Sequence, residues 1–148
     1  MHSTRGRAMT VRLASAVVLL TLLLGCSRKI SDRDLVIISS AEASRLTEDG
    51  TGLLGMRKQS VFLDPRIPRN YSEGHIPDAI NIPFSEISRR YETLRPYRVI
   101  VVYGNDYNDL KANAMSKRLL DLGLSDVRTL RGGLEAWVTA GNPIVVED

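Results

Sequence analysis

An α/β fold, with a five-stranded, mainly parallel sheet and helices on both faces, is what this sequence predicts, and three observations carry the prediction. Val99-Ile-Val-Val102 is an unbroken β-branched run, suited to a strand covered on both faces. Just beyond it Ala112, Met115, Leu119 and Leu122 recur at helical spacing, while Lys111, Lys117, Arg118 and Asp121 fall mostly elsewhere, so an amphipathic helix follows the strand. Short apolar runs alternate with such stretches along the rest of the chain, as parallel strands joined by helical crossovers do.

Taken in order, Leu35-Val-Ile-Ile38 predicts the first strand. Ser39 with Glu42 three residues later has the capping-box pattern for a short helix ending near Gly50, and Thr51 to Gln59 reads as a loop. Ser60 to Leu63 is the second strand, with Asp64 at its C-terminal end, the side on which parallel sheets bind ligands. Gly74 ends a turn containing Tyr71, and Pro77 forces an extended exit into the third strand, Ala79 to Ile82. Ser85 opens a helix whose Ile87, Tyr91 and Leu94 form one stripe, halted by Pro96. Gly123 caps the helix that follows the central strand. Val127 to Leu130 gives the fifth strand, and Gly132 and Gly133 permit a tight turn into a last helix, Leu134 to Ala140. Its Leu134, Trp137 and Val138 are expected to face the core, and Gly141 and Pro143 close it.

The N-terminus has a different character. Residues 1–25 carry Arg5, Arg7 and Arg12 and an apolar run from Leu13 to Leu24, too short for a comfortable bilayer span but suited to a secretory signal. The run ends Leu22-Leu-Leu-Gly-Cys26, which resembles the lipobox of bacterial lipoproteins, in which the cysteine is lipidated and becomes the first mature residue. Ser27 beside it, rather than an aspartate, resembles the sorting pattern for the outer membrane, so the expected location is the bacterial cell envelope, on a periplasm-facing outer membrane. Residues 26–34 then read as a tether, and 35–148 as one domain. The seven residues Ser27 to Arg33 reach at most about 25 Å at roughly 3.5 Å each. Three of the 20 Lys and Arg lie in the leader, which has no acids, and the remaining 17 match the 17 Asp and Glu. A formally neutral domain has no general attraction for nucleic acid.

Val61-Phe-Leu-Asp-Pro-Arg66 and Tyr71-Ser-Glu-Gly-His-Ile-Pro-Asp-Ala-Ile-Asn-Ile-Pro83 together resemble the signature of the rhodanese-like family. The resemblance continues through Val99-Ile-Val-Val-Tyr-Gly104 and Leu130-Arg-Gly-Gly-Leu-Glu-Ala-Trp137, so it covers about residues 35–146. It implies the rhodanese-like α/β fold. In catalytic members of that family the residue after the strand's final Tyr is a cysteine that carries a persulfide; Gly104 stands in that place here, and the chain's one cysteine is Cys26. For Asp64 and Arg66 the resemblance implies hydrogen bonding that fixes loops near the site. His75, the one histidine outside the leader, has no nucleophile to serve as a base and is expected to be locked to nearby backbone.

The loop Gly104, Asn105, Asp106, Tyr107, Asn108, Asp109 wraps the N-terminus of the following helix, where free amides and the dipole favour anions. It offers no cation and two carboxylates. Asn108 or Asp109 is expected to act as the helix N-cap. Sulfur transfer needs a thiolate and a loop that stabilises negative charge; this loop lacks the first and weakens the second. The expectation is therefore a lipid-anchored, catalytically silent module that binds or regulates a protein partner, with no cofactor and no metal. Two alternatives remain open: sulfur chemistry on a partner's thiol, and a metal-dependent activity at Asp106 and Asp109.

Overall fold

The computed structural model describes residues 29–48 and 60–147. The strands are β1 (Val36–Ile38), β2 (Val61–Asp64), β3 (Ile80–Asn81), β4 (Ile100–Val102) and β5 (Val127–Leu130), and the helices α1 (Ser40–Glu48), α2 (Pro68–Ser72), α3 (Ile87–Arg90), α4 (Leu110–Asp121) and α5 (Gly133–Thr139). The strands form one sheet in the order β1-β5-β4-β2-β3, and every neighbouring pair is parallel. Mainly parallel thus becomes wholly parallel within the sheet. Among the described residues the one antiparallel pairing is an isolated bridge outside it, His75 with Val145.

Both faces of the sheet are covered, which explains the unbroken apolar run in β4. Val61, Leu63, Ile100, Val102 and Val127 point to one side, where Ile87 of α3 and Ala112, Met115 and Leu119 of α4 bury against them. Phe62, Val99, Val101 and Tyr103 alternate to the other side and meet Ala43 of α1 and Trp137 of α5. On the α4 side Ser116 and Thr129 share a buried hydroxyl hydrogen bond of 2.7 Å, so neither leaves an unsatisfied polar group in the core.

Local signals set most helix ends. The Ser39 amide and hydroxyl both donate to Glu42 (2.8 and 2.7 Å), and the Glu42 amide returns a bond to the Ser39 hydroxyl. These bonds hold the Glu42 carboxyl below its usual pKa range, the Ser39 backbone amide contributing most. Gly123 takes φ +83° beyond α4, as a left-handed cap requires.

Three expectations need correction or trimming. The segment after β3 is not one helix: 3₁₀ turns at Phe84–Glu86 and Tyr91–Leu94 flank the single turn α3, although Ile87 and Leu94 are buried as expected. Val138 is 47% exposed, because in a helix of seven residues only Trp137 points straight at the sheet. The last tether residues are ordered. Asp32–Asp34 forms a 3₁₀ turn, capped by Ser31 and Asp34, and Asp32 bonds Lys117 of α4 at 2.8 Å. The expected end of α1 near Gly50 and the expected loop Thr51 to Gln59 lie outside the described residues, as do the leader and Cys26.

Asp78 adopts φ +59°, a left-handed conformation that L side chains reach at a cost of about 1–2 kcal/mol. It is exposed, so little packing opposes a change there. Asp78→Gly is expected to raise stability by about 0.5–1 kcal/mol, the strain relieved less the extra chain entropy of glycine. Chemical denaturation of the two proteins checks this, and a loss of stability would show that Asp78 is not strained.

Candidate functional site

Because all strands run the same way, the loops after β2, β4 and β5 collect at one edge of the sheet. Asp64 ends β2 and is fully buried, with Arg66 two residues on and 3% exposed. Arg66 donates Nε and Nη2 to the Asp64 carboxylate, with Nη2 at 2.6 Å, and Nη2 also to the Gly74 carbonyl at 2.7 Å. Its remaining Nη1 reaches the Asn105 side-chain oxygen at 3.1 Å. One buried guanidinium therefore ties together the end of β2, the turn before His75 and the loop after β4. Such a fork holds geometry better than an ammonium would. Asn81 adds a second tie, its side-chain amide donating to the carbonyls of Asp64 and Arg66.

Tyr103 completes β4 inside this frame. Its ring lies 5.7 Å from the Arg66 guanidinium carbon, and its hydroxyl accepts from the Ile76 amide at 3.3 Å. Burial, and after it the charge of Asp64, pushes the Tyr103 hydroxyl far above its ordinary pKa, so it stays protonated and cannot act as a base at neutral pH. His75 is 4% exposed. Its ring stacks on Tyr71 at 3.7 Å, its Nδ1 lies 2.9 Å from the Tyr71 carbonyl, and its backbone exchanges two hydrogen bonds with Val145. Its ring is thus held by Tyr71 and its backbone by the distant Val145.

The loop itself is filled by its own carboxylates. Asp109 is the N-cap of α4: Oδ1 accepts from the Lys111 amide and Oδ2 from the Asn105 amide, each at 2.9 Å. Asp106 Oδ1 accepts from the Asn108 amide at 2.6 Å. The carbonyls of Gly104 and Asn105 in turn accept from the Leu134 and Glu135 amides at the start of α5. The amides of Asn105, Asn108 and Lys111 are thus occupied by the loop's own carboxylates. The space where a side chain at Gly104 would begin is occupied as well, since a Cβ there would lie 2.9 Å from Asp109 Oδ2 and 3.0 Å from its Cγ. Gly133, at φ +55°, leaves no room either: a Cβ would meet the Gly104 carbonyl oxygen at 2.4 Å.

Tyr107 turns outward, 68% exposed, with its ring edge over Gly132. A shallow hollow of about 570 Å³ remains at the mouth, lined by Asn105, Asp106, Leu134, Glu135, Val138 and Thr139. Its charged groups are two carboxylates. Among the described residues no group of three or more His, Cys, Asp or Glu side chains is disposed to hold a metal ion, and both loop carboxylates already serve amides. The sequence located every residue of this loop but not its packing against Gly132, Gly133 and Glu135. The paired glycines are the available signal, since a Cβ at either position would collide with this loop.

Residues 48–140 match the family described as the Rhodanese-like domain. A sulfurtransferase of Allochromatium vinosum is 31% identical over 88 residues, covering 60% of this chain and 80% of that protein. An uncharacterized protein of Buchnera aphidicola is 30% identical over 94 residues, covering 61% of this chain and 63% of its own length. Among solved structures, a rhodanese-related protein from Thermoplasma volcanium superimposes with a TM-score of 0.61 at 26% identity, covering 76% of this chain and 99% of that one. A thiosulfate sulfurtransferase from Pseudomonas aeruginosa gives a TM-score of 0.63 at 27% identity over 76% of this chain, which spans only 20% of that longer protein.

Proposed function

Since the chain belongs to the rhodanese-like domain family, related to sulfurtransferases, we propose that it is a lipid-anchored member that transfers no sulfur itself and meets a protein partner at the Gly104–Asp109 loop. The observation that carries this reading is the state of Gly104. The position that the family resemblance gives to the persulfide cysteine has no side chain, and the adjoining space and amides are taken by Asp109. With Asp109 beside that position and the Asn105 amide already bonded to it, a developing anion there would meet a carboxylate rather than a free donor. What it presents outward is Tyr107, Leu110 and Val138, all exposed, beside Asp106 and Glu135. Exposed apolar groups with a polar rim are a contact surface rather than a reaction centre.

The direct test is thiocyanate formation from thiosulfate and cyanide by the full chain, for which no turnover above background is expected. Turnover that survived Cys26→Ser would overturn the silent reading. Turnover abolished by that change would mean that the one cysteine relays sulfur. Cys26→Ser also tests the anchor, because it should leave the precursor unprocessed or release the protein from membranes. If the variant were cleaved and stayed membrane-bound in high salt, the lipid assignment would fail. Partner contact is tested by placing a photo-crosslinking residue at position 107 and, for comparison, at position 89 on α3. Capture of one protein from position 107 and not 89 is expected; equal capture from both would remove the loop as the contact surface.

A further inference from the structure

We infer that the hollow between the start of α1 and α5 binds a carboxylate, and that the partner docks an acidic side chain there; the second half rests on the partner reading above. The hollow has a volume of about 510 Å³, and Tyr107 and Arg131 also stand on its wall. Sheet topology builds it. β1 and β5 run side by side with Ile38 opposite Leu130, and the Arg131 amide donates to the Ile38 carbonyl at 2.9 Å. The first residue beyond β5 is thereby fixed beside the chain that turns into α1 at Ser40.

Donors without acceptors meet there. Ser40 is 8% exposed, yet its hydroxyl makes no hydrogen bond to any described residue. Among the described residues no side-chain polar atom sealed from solvent lacks a partner, so this hydroxyl is not closed off in the core; it opens on the hollow that Ser40 lines. A hydroxyl so nearly buried calls for a partner. The amides of Ser40 and Ala41 lie in the first turn of a nine-residue helix, and the Ser39–Glu42 box occupies the amides of Ser39 and Glu42 but not theirs. Arg131 is exposed, and among the described residues its guanidinium has no ion pair. A helix N-terminus, an open hydroxyl and an unpaired guanidinium all favour an anion.

The surroundings select the kind of anion. Glu135 stands on the same wall, and Glu42 lies at the same helix start with its carboxylate committed to Ser39. A dianion would be repelled by both, whereas a single negative charge is balanced by Arg131. A carboxylate also offers two coplanar oxygens to the guanidinium fork. Ala41, Ala136 and Ala140 supply apolar wall with short side chains, which leaves room for the methylenes of an acidic side chain. Glu135 and Thr139 line the mouth hollow as well, so an occupant here sits next to the surface at which the partner is proposed to bind.

The test is an NMR titration of the full ¹⁵N-labelled chain in neutral detergent micelles with N-acetylglutamate N-methylamide. Its neutral glutamine twin and inorganic phosphate are the comparisons. The glutamate probe should shift the Ser40 and Ala41 amides and the Arg131 Nε–H, with half-saturation below about 50 mM. The glutamine probe should not, and phosphate should bind several-fold more weakly. Arg131→Gln should weaken the glutamate probe at least about fivefold and Ser40→Ala about twofold, with the rest of the spectrum unchanged. No saturating shift at these residues, an equal response to the glutamine probe, or no effect of Arg131→Gln would overturn the site. Tighter binding of phosphate would overturn the carboxylate assignment. The docking half is read from photo-crosslinking at position 107, whose yield should fall at least about fivefold in Arg131→Glu. Unchanged yield would overturn docking through this hollow and leave the partner reading intact. No capture from position 107 in the native chain would remove the partner reading and the docking half with it, while the titration still decides whether the hollow takes a carboxylate.

Discussion

Trp137→Ala should lower the free energy of unfolding by about 3–5 kcal/mol, the usual cost of deleting a large buried aromatic together with the cavity it leaves. Trp137 is 4% exposed and sits edge-on to Phe62, with ring centroids 5.1 Å apart. It therefore joins α5 to the middle of β2. Its indole N–H donates to the Pro143 carbonyl at 2.8 Å, and its own carbonyl accepts from the side chain of Asn142. These bonds start the C-terminal segment back across the domain, where Val145 pairs with His75 and the Glu147 amide donates to Ser72. One side chain thus ties a helix, a strand and the tail. Trp137→Phe keeps much of the apolar area but removes the donor, and should cost less than alanine. Denaturant melts of the three proteins give the comparison, and a loss below about 1 kcal/mol for alanine would mean that the site collapses without strain. Such a loss is a large share of the roughly 5–15 kcal/mol that holds a domain of this kind folded.

The parts of this fold that were legible in the sequence are those set by neighbours along the chain. The β-branched run before Tyr103 marked the central strand because both its faces are covered, and the Ser39/Glu42 box and the Asp109 cap lie within one turn of the helices they start. What the sequence hid is set by contacts between distant segments. Trp137 and Val138 have equal claims to the core from spacing alone, and only the angle of α5 against β2 separates them. The His75 pairing joins residues 70 positions apart, with no local signature at either end. Asp78 carries no mark of its left-handed backbone, since aspartate is ordinary in turns of every type. Within the loop, residue identities gave charge but not distance. Local sequence allows either Asn108 or Asp109 to cap α4; that the second Asp109 oxygen holds the Asn105 amide and crowds Gly104 is set by the fold of the loop.

Gly104→Cys is expected to give little or no sulfurtransferase activity, although it returns a thiol to the position that the family resemblance assigns to the persulfide cysteine. A Cβ at 104 would fall 2.9 Å from Asp109 Oδ2, so the new side chain either displaces the cap of α4 or lies against its carboxylate. In the second case the thiolate and carboxylate stand about 4 Å apart, a repulsion of roughly 4 kcal/mol at an effective dielectric near 20. Solvent at this half-exposed loop reduces it, and half of that value still corresponds to about thirtyfold in rate. The sign is the same for ionisation: a neighbouring carboxylate disfavours the thiolate, raises the thiol pKa and leaves less nucleophile at neutral pH. The nearest buried cation, Arg66, is committed to Asp64, Gly74 and Asn105 and offers no offset. The comparison is Gly104→Cys alone against the same change with Asp106→Ser and Asp109→Ser, serine being able to keep the helix cap while removing the charge. Thiosulfate turnover should rise at least about tenfold in the triple variant, and added salt should narrow the gap by screening the carboxylates. Equal and efficient turnover by both would show that sulfur was the one missing part and that the loop's charges do not silence it.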